Sequence, residues 1–140
     1  MKVSNEILND IVDSLDTGFK CFIHKETLEV VTFPDEVLLQ ETDTEVWQED
    51  IDKVSDNREK YIEIENMISS ASLRVIEEFV NSLENNSIKI RLLQAIEGRK
   101  PFANFKNQID NSEDYREQWF AFRKSKNIEW VQNQLIRESQ

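Results

Sequence analysis

The chain contains very little glycine, and this shortage excludes several kinds of nucleotide-binding and hydrolytic site. It has two glycines in 140 residues, Gly18 and Gly98. A phosphate-binding P-loop, a dinucleotide-binding turn and the nucleophile elbow of α/β-hydrolases each need at least two glycines close together. None of the three can be built from this sequence. Each glycine instead follows an apolar stretch with helical spacing, so both are predicted to end helices.

Cysteine and histidine are equally scarce, with one residue of each type, Cys21 and His24. This pair cannot supply the usual ligands of a zinc site, and a lone cysteine forms no internal disulfide. The two residues lie three apart in a predicted strand, so they point to opposite faces and make a poor nucleophile–base pair. A magnesium site made only of carboxylates stays open with 28 acidic residues, although acidic runs are commonly solvated surface. We predict no catalytic residue, metal or cofactor, and therefore no enzyme.

Long apolar runs are also missing, and no stretch of 18 apolar residues is present to span a membrane. Residues 1–6 lack the basic and then apolar pattern of a signal peptide. A single cysteine fits a reducing compartment, so we expect a cytoplasmic protein without membrane contact. A length of 140 residues with 39% hydrophobic side chains suits a single domain over residues 1–140.

Apolar periodicity predicts an α+β fold. Apolar residues with helical spacing follow Ser4, a predicted N-cap, and Gly18 stands where a residue with positive φ ends such a helix. Alternating or β-branched segments then predict a hairpin that turns at residues 25–27, and a third strand at Tyr61–Ile64. From Ser69 onward the spacing is helical. We predict a small three-stranded antiparallel sheet within about residues 19–65, packed against a helical C-terminal half, with an N-terminal helix.

The helical half divides at predicted stops and starts. Asn85-Asn86 and Gly98 interrupt the periodicity, and Pro101 is predicted at the first position of the next helix. Ser112 is predicted to cap a helix that carries Trp119, and a separate last helix follows. The aromatic residues at helical spacing are predicted to be core rather than a base-stacking surface; they are Phe102, Phe105, Trp119 and Phe122.

Charge is distributed unevenly along the chain, whose net charge is −11. Residues 1–97 carry 22 acidic and 9 basic side chains, whereas residues 98–140 carry 6 acidic and 8 basic ones. Such asymmetry is typical of a basic face for nucleic acid or for an acidic partner. It is also expected, and more simply, if the two parts attract each other within one fold. Both interpretations stay open from the sequence.

Four residues are the best binding candidates, namely Arg99, Lys100, Lys106 and Phe120. The three cations lie near predicted helix starts, where the helix dipole does not favour positive charge. Phe120 cannot share one helix face with both Trp119 and Phe122, so it is expected at the surface. Three further cations, Arg123, Lys124 and Lys126, fall at a predicted helix end, where the dipole favours them and no binding role is needed.

The same region carries the motif Gly98-Arg99-Lys100-Pro101-Phe102-Ala103-Asn104-Phe105-Lys106, followed by Trp119-Phe120-Ala121-Phe122. It resembles the C-terminal signature of an uncharacterised bacterial protein family known by a placeholder name. Residues 22–30 are similar to that family's hairpin, which commonly has aspartate at the position of His24 and a turn glycine at that of Leu28. Residues 60–64 resemble its next strand, and the likeness covers roughly residues 1–136. The resemblance implies a single domain and brings no substrate, cofactor or catalytic residue.

Two functional classes follow. In the first, the protein is a non-enzymatic interaction or regulatory module whose aromatic and basic C-terminal surface binds an unidentified protein partner or a second copy of itself. In the alternative, the same surface binds RNA or single-stranded DNA by stacking and phosphate contacts. The net charge of −11 disfavours nucleic acid, because its binding domains are commonly basic.

Overall fold

The computed structural model describes residues 2–138, and their fold is α+β. The first part contains helix α1, the hairpin β1–β2, two further helices and strand β3: α1 (Asn5–Asp16), β1 (Phe19–His24), β2 (Val30–Pro34), α2 (Glu36–Leu39), α3 (Gln48–Asp56) and β3 (Tyr61–Ile64). Four helices follow: α4 (Ser69–Ser82), α5 (Asn86–Glu97), α6 (Pro101–Asp110) and α7 (Glu113–Glu138). Short 3₁₀ turns lie at Thr44–Val46 and Arg58–Lys60. The predicted fold class is confirmed, and no strand follows position 70 within residues 2–138.

The described residues form two compact units. One unit consists of residues 2–66 and 128–138, and the other of Met67–Asn127. Helix α7 contributes residues to both. The interpretation of residues 1–140 as a single domain stays a prediction.

The sheet of the first unit has the order β2-β1-β3, with both neighbouring pairs antiparallel. Because successive side chains of a strand point to opposite faces, each face buries its own cluster. On one face, Cys21 and Ile23 of β1 pack with α1 and with the last turns of α7; the cluster is Leu8, Ile11, Val12, Cys21, Ile23, Ile62, Ile64, Val131 and Leu135. The opposite face buries Phe22, Val31, Phe33 and Tyr61 with Val54 of α3.

The predicted limits of α1 are confirmed. The Ser4 hydroxyl oxygen accepts a hydrogen bond from the Ile7 backbone N–H at 3.2 Å, which satisfies one free donor of the first turn. Gly18 follows the C-cap Thr17 with φ of +88°, a left-handed conformation that glycine adopts without steric cost. The chain therefore leaves α1 and enters β1 within two residues.

The turn of the β1–β2 hairpin is held by His24. Its Nδ1 accepts hydrogen bonds from the backbone N–H groups of Glu26 and Thr27, both at 3.1 Å. An aspartate oxygen makes the same kind of contact in turns, so His24 takes over the role of the aspartate that the family resemblance led us to expect. Leu28 has φ of +63°, which explains why a glycine is common at that position.

The second unit is a helical cluster around Phe79, Leu92, Phe105 and Trp119; its buried residues are Ile76, Phe79, Val80, Leu83, Ile88, Leu92, Phe105, Ile109 and Trp119. The predicted break at Asn85-Asn86 is confirmed, because the Asn85 side chain accepts from the backbone N–H groups of Ser87 and Ile88. Gly98 is the C-cap of α5, and Pro101 begins α6 as predicted.

One predicted boundary is wrong. The two helices expected after Ser112 are a single helix of 26 residues, α7. Residues 123–127 contain neither glycine nor proline, so nothing in the backbone stops the helix there. Arg123, Lys124 and Lys126 therefore lie inside a helix rather than at its C-terminus, and the helix dipole does not account for them.

Candidate functional site

The first two candidate residues, Arg99 and Lys100, occupy the short connection between α5 and α6. Both side chains are exposed. The connection is fixed from within the unit, because the Asn104 side-chain amide donates to the Ala95 carbonyl at 3.1 Å and the Asn104 N–H donates to the Lys100 carbonyl at 2.9 Å. Lys100 is the N-cap of α6 and provides no side-chain hydrogen bond to the helix. Two adjacent cations thus stand between the C-terminus of α5, whose dipole favours positive charge, and the N-terminus of α6, whose dipole does not.

The third candidate, Lys106, lies in the middle of α6 and is also exposed. It is four residues after Phe102, so the two side chains share one side of the helix. The only acidic residue between positions 98 and 110, Asp110, pairs with Arg116 at 3.5 Å. No described residue forms an ion pair with Arg99, Lys100 or Lys106. The three cations therefore carry uncompensated positive charge on one short segment.

The prediction that Phe102 is a core residue is wrong, because 40% of its surface is exposed. It lies seven residues before the buried Ile109 and so on nearly the same side of α6. The cause is its position in the first turn: the aromatic contacts of α6 are made by Phe105, whose ring lies 4.9 Å from that of Trp119. Sequence periodicity alone could not show this, since it reveals the face of a helix and not how far along it the packing extends.

Phe120, the fourth candidate, is on the surface as predicted, with 47% of its side chain exposed. Its neighbour Trp119 is 8% exposed and packs against Phe79 and Phe105, so successive residues of α7 point inward and outward. The Arg116 guanidinium carbon lies 5.2 Å from the centre of the Phe120 ring, a cation–π contact within one helix. The described contact of Phe120 is therefore with Arg116 and not with the three cations of the α6 segment.

The site consequently has two parts. We call residues Arg99, Lys100, Phe102 and Lys106 the α6 patch, and Arg116 with Phe120 the α7 pair. Phe102 and Arg116 were not predicted as site residues. The spacing of Arg116 and Phe120, four apart in a helix, is a signal that could have found the pair.

Lys126, another cation of this unit's α7 segment, has structural contacts. Lys126 forms an ion pair with Glu78 at 2.9 Å, and its ammonium lies 5.6 Å from the centre of the Phe122 ring. These contacts join α4 to α7 and replace the dipole explanation that the sequence favoured. Such a pair leaves Lys126 less available to a ligand than the cations of the α6 patch.

A shallow polar groove of about 490 Å³ lies elsewhere in the same unit, beside the N-termini of α5 and α7. It is lined by Arg91 and Tyr115 together with acidic and amide side chains, among them Glu113, Asp114 and Asn111. The acids next to Arg91 lower the local positive charge, so the groove offers no clear preference for an anion. None of the four predicted site residues lines it.

Cys21 and His24 are placed on opposite sides of the sheet, as their spacing predicted. Cys21 is buried among the α1-side cluster, whereas the His24 ring lies 5.1 Å from the ring of Tyr61 in an edge contact. Burial raises the pKa of the Cys21 thiol to about 12, with a hydrogen bond to Ser14 acting in the opposite direction. A thiol held protonated in this way is a poor nucleophile. Within residues 2–138 no three His, Cys, Asp or Glu side chains cluster as a metal site would require.

The sequence from residue 31 to residue 139 matches the model of an uncharacterised protein family, UPF0158. The match spans more than half of the chain, so the protein belongs to this family. No curated protein and no solved structure matches the chain. Of the helices within residues 2–138, none combines the length and the apolar character that crossing a bilayer requires.

Proposed function

We propose that this protein is a non-enzymatic interaction or regulatory module of the bacterial cytoplasm, which binds an acidic protein surface through the α6 patch and the α7 pair. The observation that carries the proposal is the set of three exposed cations, Arg99, Lys100 and Lys106, that no described residue neutralises. They stand on a chain whose net charge is −11. Lys106 lies in the middle of α6, and none of the three cations has an ion-pair partner among residues 2–138, so binding is the simplest reason for their placement.

Exposed aromatic side chains support the same proposal. Phe102 lies on the side of α6 that carries Lys106, and Phe120 is covered on one side by Arg116. Protein interfaces are enriched in aromatic residues and arginine, because these bury much apolar area while keeping a polar or charged group in place. The combination fits the surface of a protein partner, or of a second copy, that offers carboxylates around an apolar centre.

Single-stranded nucleic acid is the second candidate, because exposed phenylalanines beside cations are also the elements of a stacking platform. The distribution of charged residues disfavours binding of nucleic acid. The chain segments of the first unit carry 20 acidic and 7 basic side chains, and those of the second carry 8 and 10. An excess of only two positive charges on one unit is far below that of typical nucleic-acid-binding domains. A protein partner is therefore the better candidate.

Capture of partners from the host tests the proposal. The informative variant replaces Arg99, Lys100 and Lys106 by Gln, and the control variant replaces three exposed cations of the same unit, Arg74, Arg91 and Lys124, by Gln. Both lose three positive charges, so they differ only in position. We expect the wild type and the control to retain a protein that the α6-patch variant loses. Capture by the α6-patch variant at low and at physiological salt would contradict the proposal.

A further inference from the structure

The two edges of the sheet differ in how their backbone groups are satisfied. In an antiparallel pair, alternate residues direct both N–H and C=O either toward the neighbouring strand or away from it. The His24 N–H donates to the Glu29 carbonyl at 2.9 Å, and the Asp35 N–H donates to the Gly18 carbonyl at 3.1 Å. These two bonds lie at the two ends of the β1–β2 pairing. They therefore show which residues of β2 direct their backbone groups toward β1 and which direct them away. Val31 and Phe33 therefore bond to β1, whereas Val30 and Thr32 direct their backbone groups away from the sheet.

The same argument applies to the other edge. The Lys25 N–H donates to the Lys60 carbonyl at 2.9 Å, so in β3 the residues Ile62 and Ile64 bond to β1. Tyr61, Glu63 and Glu65 then direct their backbone groups outward. Two of these three residues are satisfied by groups from outside the sheet.

Side chains close the β3 edge at both ends. The Tyr61 carbonyl accepts from the Arg58 guanidinium at 3.1 Å, and its N–H donates to the Arg58 carbonyl. At the other end, the Glu65 N–H and C=O both bond to the side-chain amide of Gln134, at 2.9 and 2.8 Å. Only Glu63 is left between them, and a single residue cannot pair with an added strand.

The outward backbone groups of β2 are not satisfied by side chains in this way. Within residues 2–138, no side chain or backbone group hydrogen-bonds the outward N–H or C=O of Val30 or Thr32. Both residues are partly exposed, and the strand Val30–Pro34 contains no charged side chain. Proteins commonly protect an edge with charges, bulges or covering segments. Here Pro34, which lacks an N–H, limits the edge at one end, the Lys53–Glu29 ion pair lies beside Val30 at the other, and α3 packs against β2, but none of them bonds the outward groups of Val30 or Thr32. Two complete donor–acceptor sets, about 7 Å apart, remain available.

We propose that the β2 edge binds an extended, positively charged peptide segment, which adds to the sheet as a fourth, antiparallel strand. The outward groups of Val30 and Thr32 supply four backbone hydrogen bonds to two residues of the segment. Charge selects the partner: the chain segments of this unit carry 20 acidic and 7 basic side chains. Near the edge, Glu26 lies beside Lys25 in the hairpin turn, and Asp35 directly follows β2. A second copy would bring an equally acidic unit to the edge, so a cationic segment is the complementary occupant.

Amide exchange of the wild-type protein with a defined probe tests the proposal. The probe is a capped nonapeptide of alternating lysine and valine, and its controls are the same peptide with glutamate for lysine and the same peptide with every backbone nitrogen methylated. We expect the lysine peptide to slow exchange of the Val30 and Thr32 N–H groups at least tenfold. The glutamate peptide and the N-methylated peptide, which lacks the backbone donors, should leave both amides unchanged.

A proline variant gives an independent readout. Because the Thr32 N–H takes no part in the β1–β2 ladder, Thr32→Pro removes one outward donor and no internal bond. It should weaken binding of the lysine peptide at least tenfold while circular dichroism stays unchanged; if the variant fails to fold, the N-methylated peptide alone decides. Equal protection by the lysine and N-methylated peptides would overturn the proposal. So would a dimer of the free protein, seen by sedimentation, in which the same two amides are protected.

Discussion

The side-chain amide of Gln134 in α7 makes both backbone hydrogen bonds of Glu65, donating to its carbonyl at 2.8 Å and accepting from its N–H at 2.9 Å. The Trp130 indole N–H donates to the same carbonyl at 3.0 Å. Gln134 is 7% exposed and is the one buried polar side chain among residues 2–138. A glutamine amide presents one donor and one acceptor side by side, as a neighbouring strand would, and so it completes β3 beyond Ile64.

Gln134→Ala should therefore destabilise the protein by about 1–3 kcal/mol, because it removes the partner of the Glu65 N–H and one of the two donors to the Glu65 carbonyl. Gln132→Ala is the matched control, since Gln132 is two residues away on α7 and exposed; it should cost about 0.5 kcal/mol or less. Urea unfolding monitored by circular dichroism measures both. Equal midpoints for the two variants would show that the Gln134 contacts contribute no net stability.

Trp119 and Phe120 make a second matched pair, since they are adjacent in α7 but face inward and outward. Trp119→Ala should cost about 3–5 kcal/mol, because it empties the space between Phe79 and Phe105. Phe120→Ala should change the free energy of unfolding by about 0.5 kcal/mol or less. Thermal unfolding of the two variants checks the assignment. A Trp119 variant with the wild-type midpoint would be incompatible with a structural role.

The left-handed conformation of Leu28 predicts an unusual order of stabilities. Leu28→Gly and Leu28→Ala remove the same packing of a partly buried side chain, but only glycine adopts φ of +63° without strain. The glycine variant should therefore be more stable than the alanine variant by about 1 kcal/mol, in reverse of their usual order. Chemical denaturation of both decides, and a more stable alanine variant would mean that the turn adopts another conformation.

Burial of Cys21 predicts a loss of stability at high pH. Its pKa is about 12 in the folded chain against an ordinary value of 9.0, because burial disfavours the thiolate. The unfolded chain therefore releases the proton first: the contribution to stability is complete below pH 9 and declines as pH rises from 9 to 12. The slope from this group reaches at most about 1.4 kcal/mol per pH unit. In the Cys21→Ala variant, the free energy of unfolding should lack this part of the decline between pH 9 and 12. Urea unfolding of the wild type and the variant across this range measures it, and the same pH dependence in both would contradict the raised pKa of Cys21.

The elements that sequence predicted correctly are those defined by local chemistry. Ser4, Gly18, Asn85 and Pro101 each act on the backbone within a few residues, and the structure places each at a helix end as its residue type requires. Alternating or β-branched apolar segments likewise identified all three strands. Such signals need no knowledge of the rest of the fold.

What the sequence could not show depends on partners distant along the chain. The exposure of Phe102 follows from where the packing of α6 ends. Helix α7 is one continuous helix because no stop signal interrupts it. The contact between Gln134 and Glu65 joins residues 69 positions apart, and a glutamine in a helix carries no local sign of it. Of the candidate site, exposure of Arg99, Lys100, Lys106 and Phe120 was expected from sequence, whereas the pairing of Arg116 with Phe120 came from the structure.

The claim that the α6 patch binds an acidic protein surface is tested most directly by an NMR titration of the ¹⁵N-labelled protein with a polyglutamate peptide. We expect amide shifts to concentrate at residues 99–106 and near Phe120, and the affinity to fall as salt rises toward physiological strength. The variant with Gln at positions 99, 100 and 106 should bind at least tenfold more weakly. The variant with Gln at positions 74, 91 and 124, which has the same net charge, should bind as the wild type does. Equal weakening of both variants, or shifts spread over the cations of the whole chain, would contradict the account.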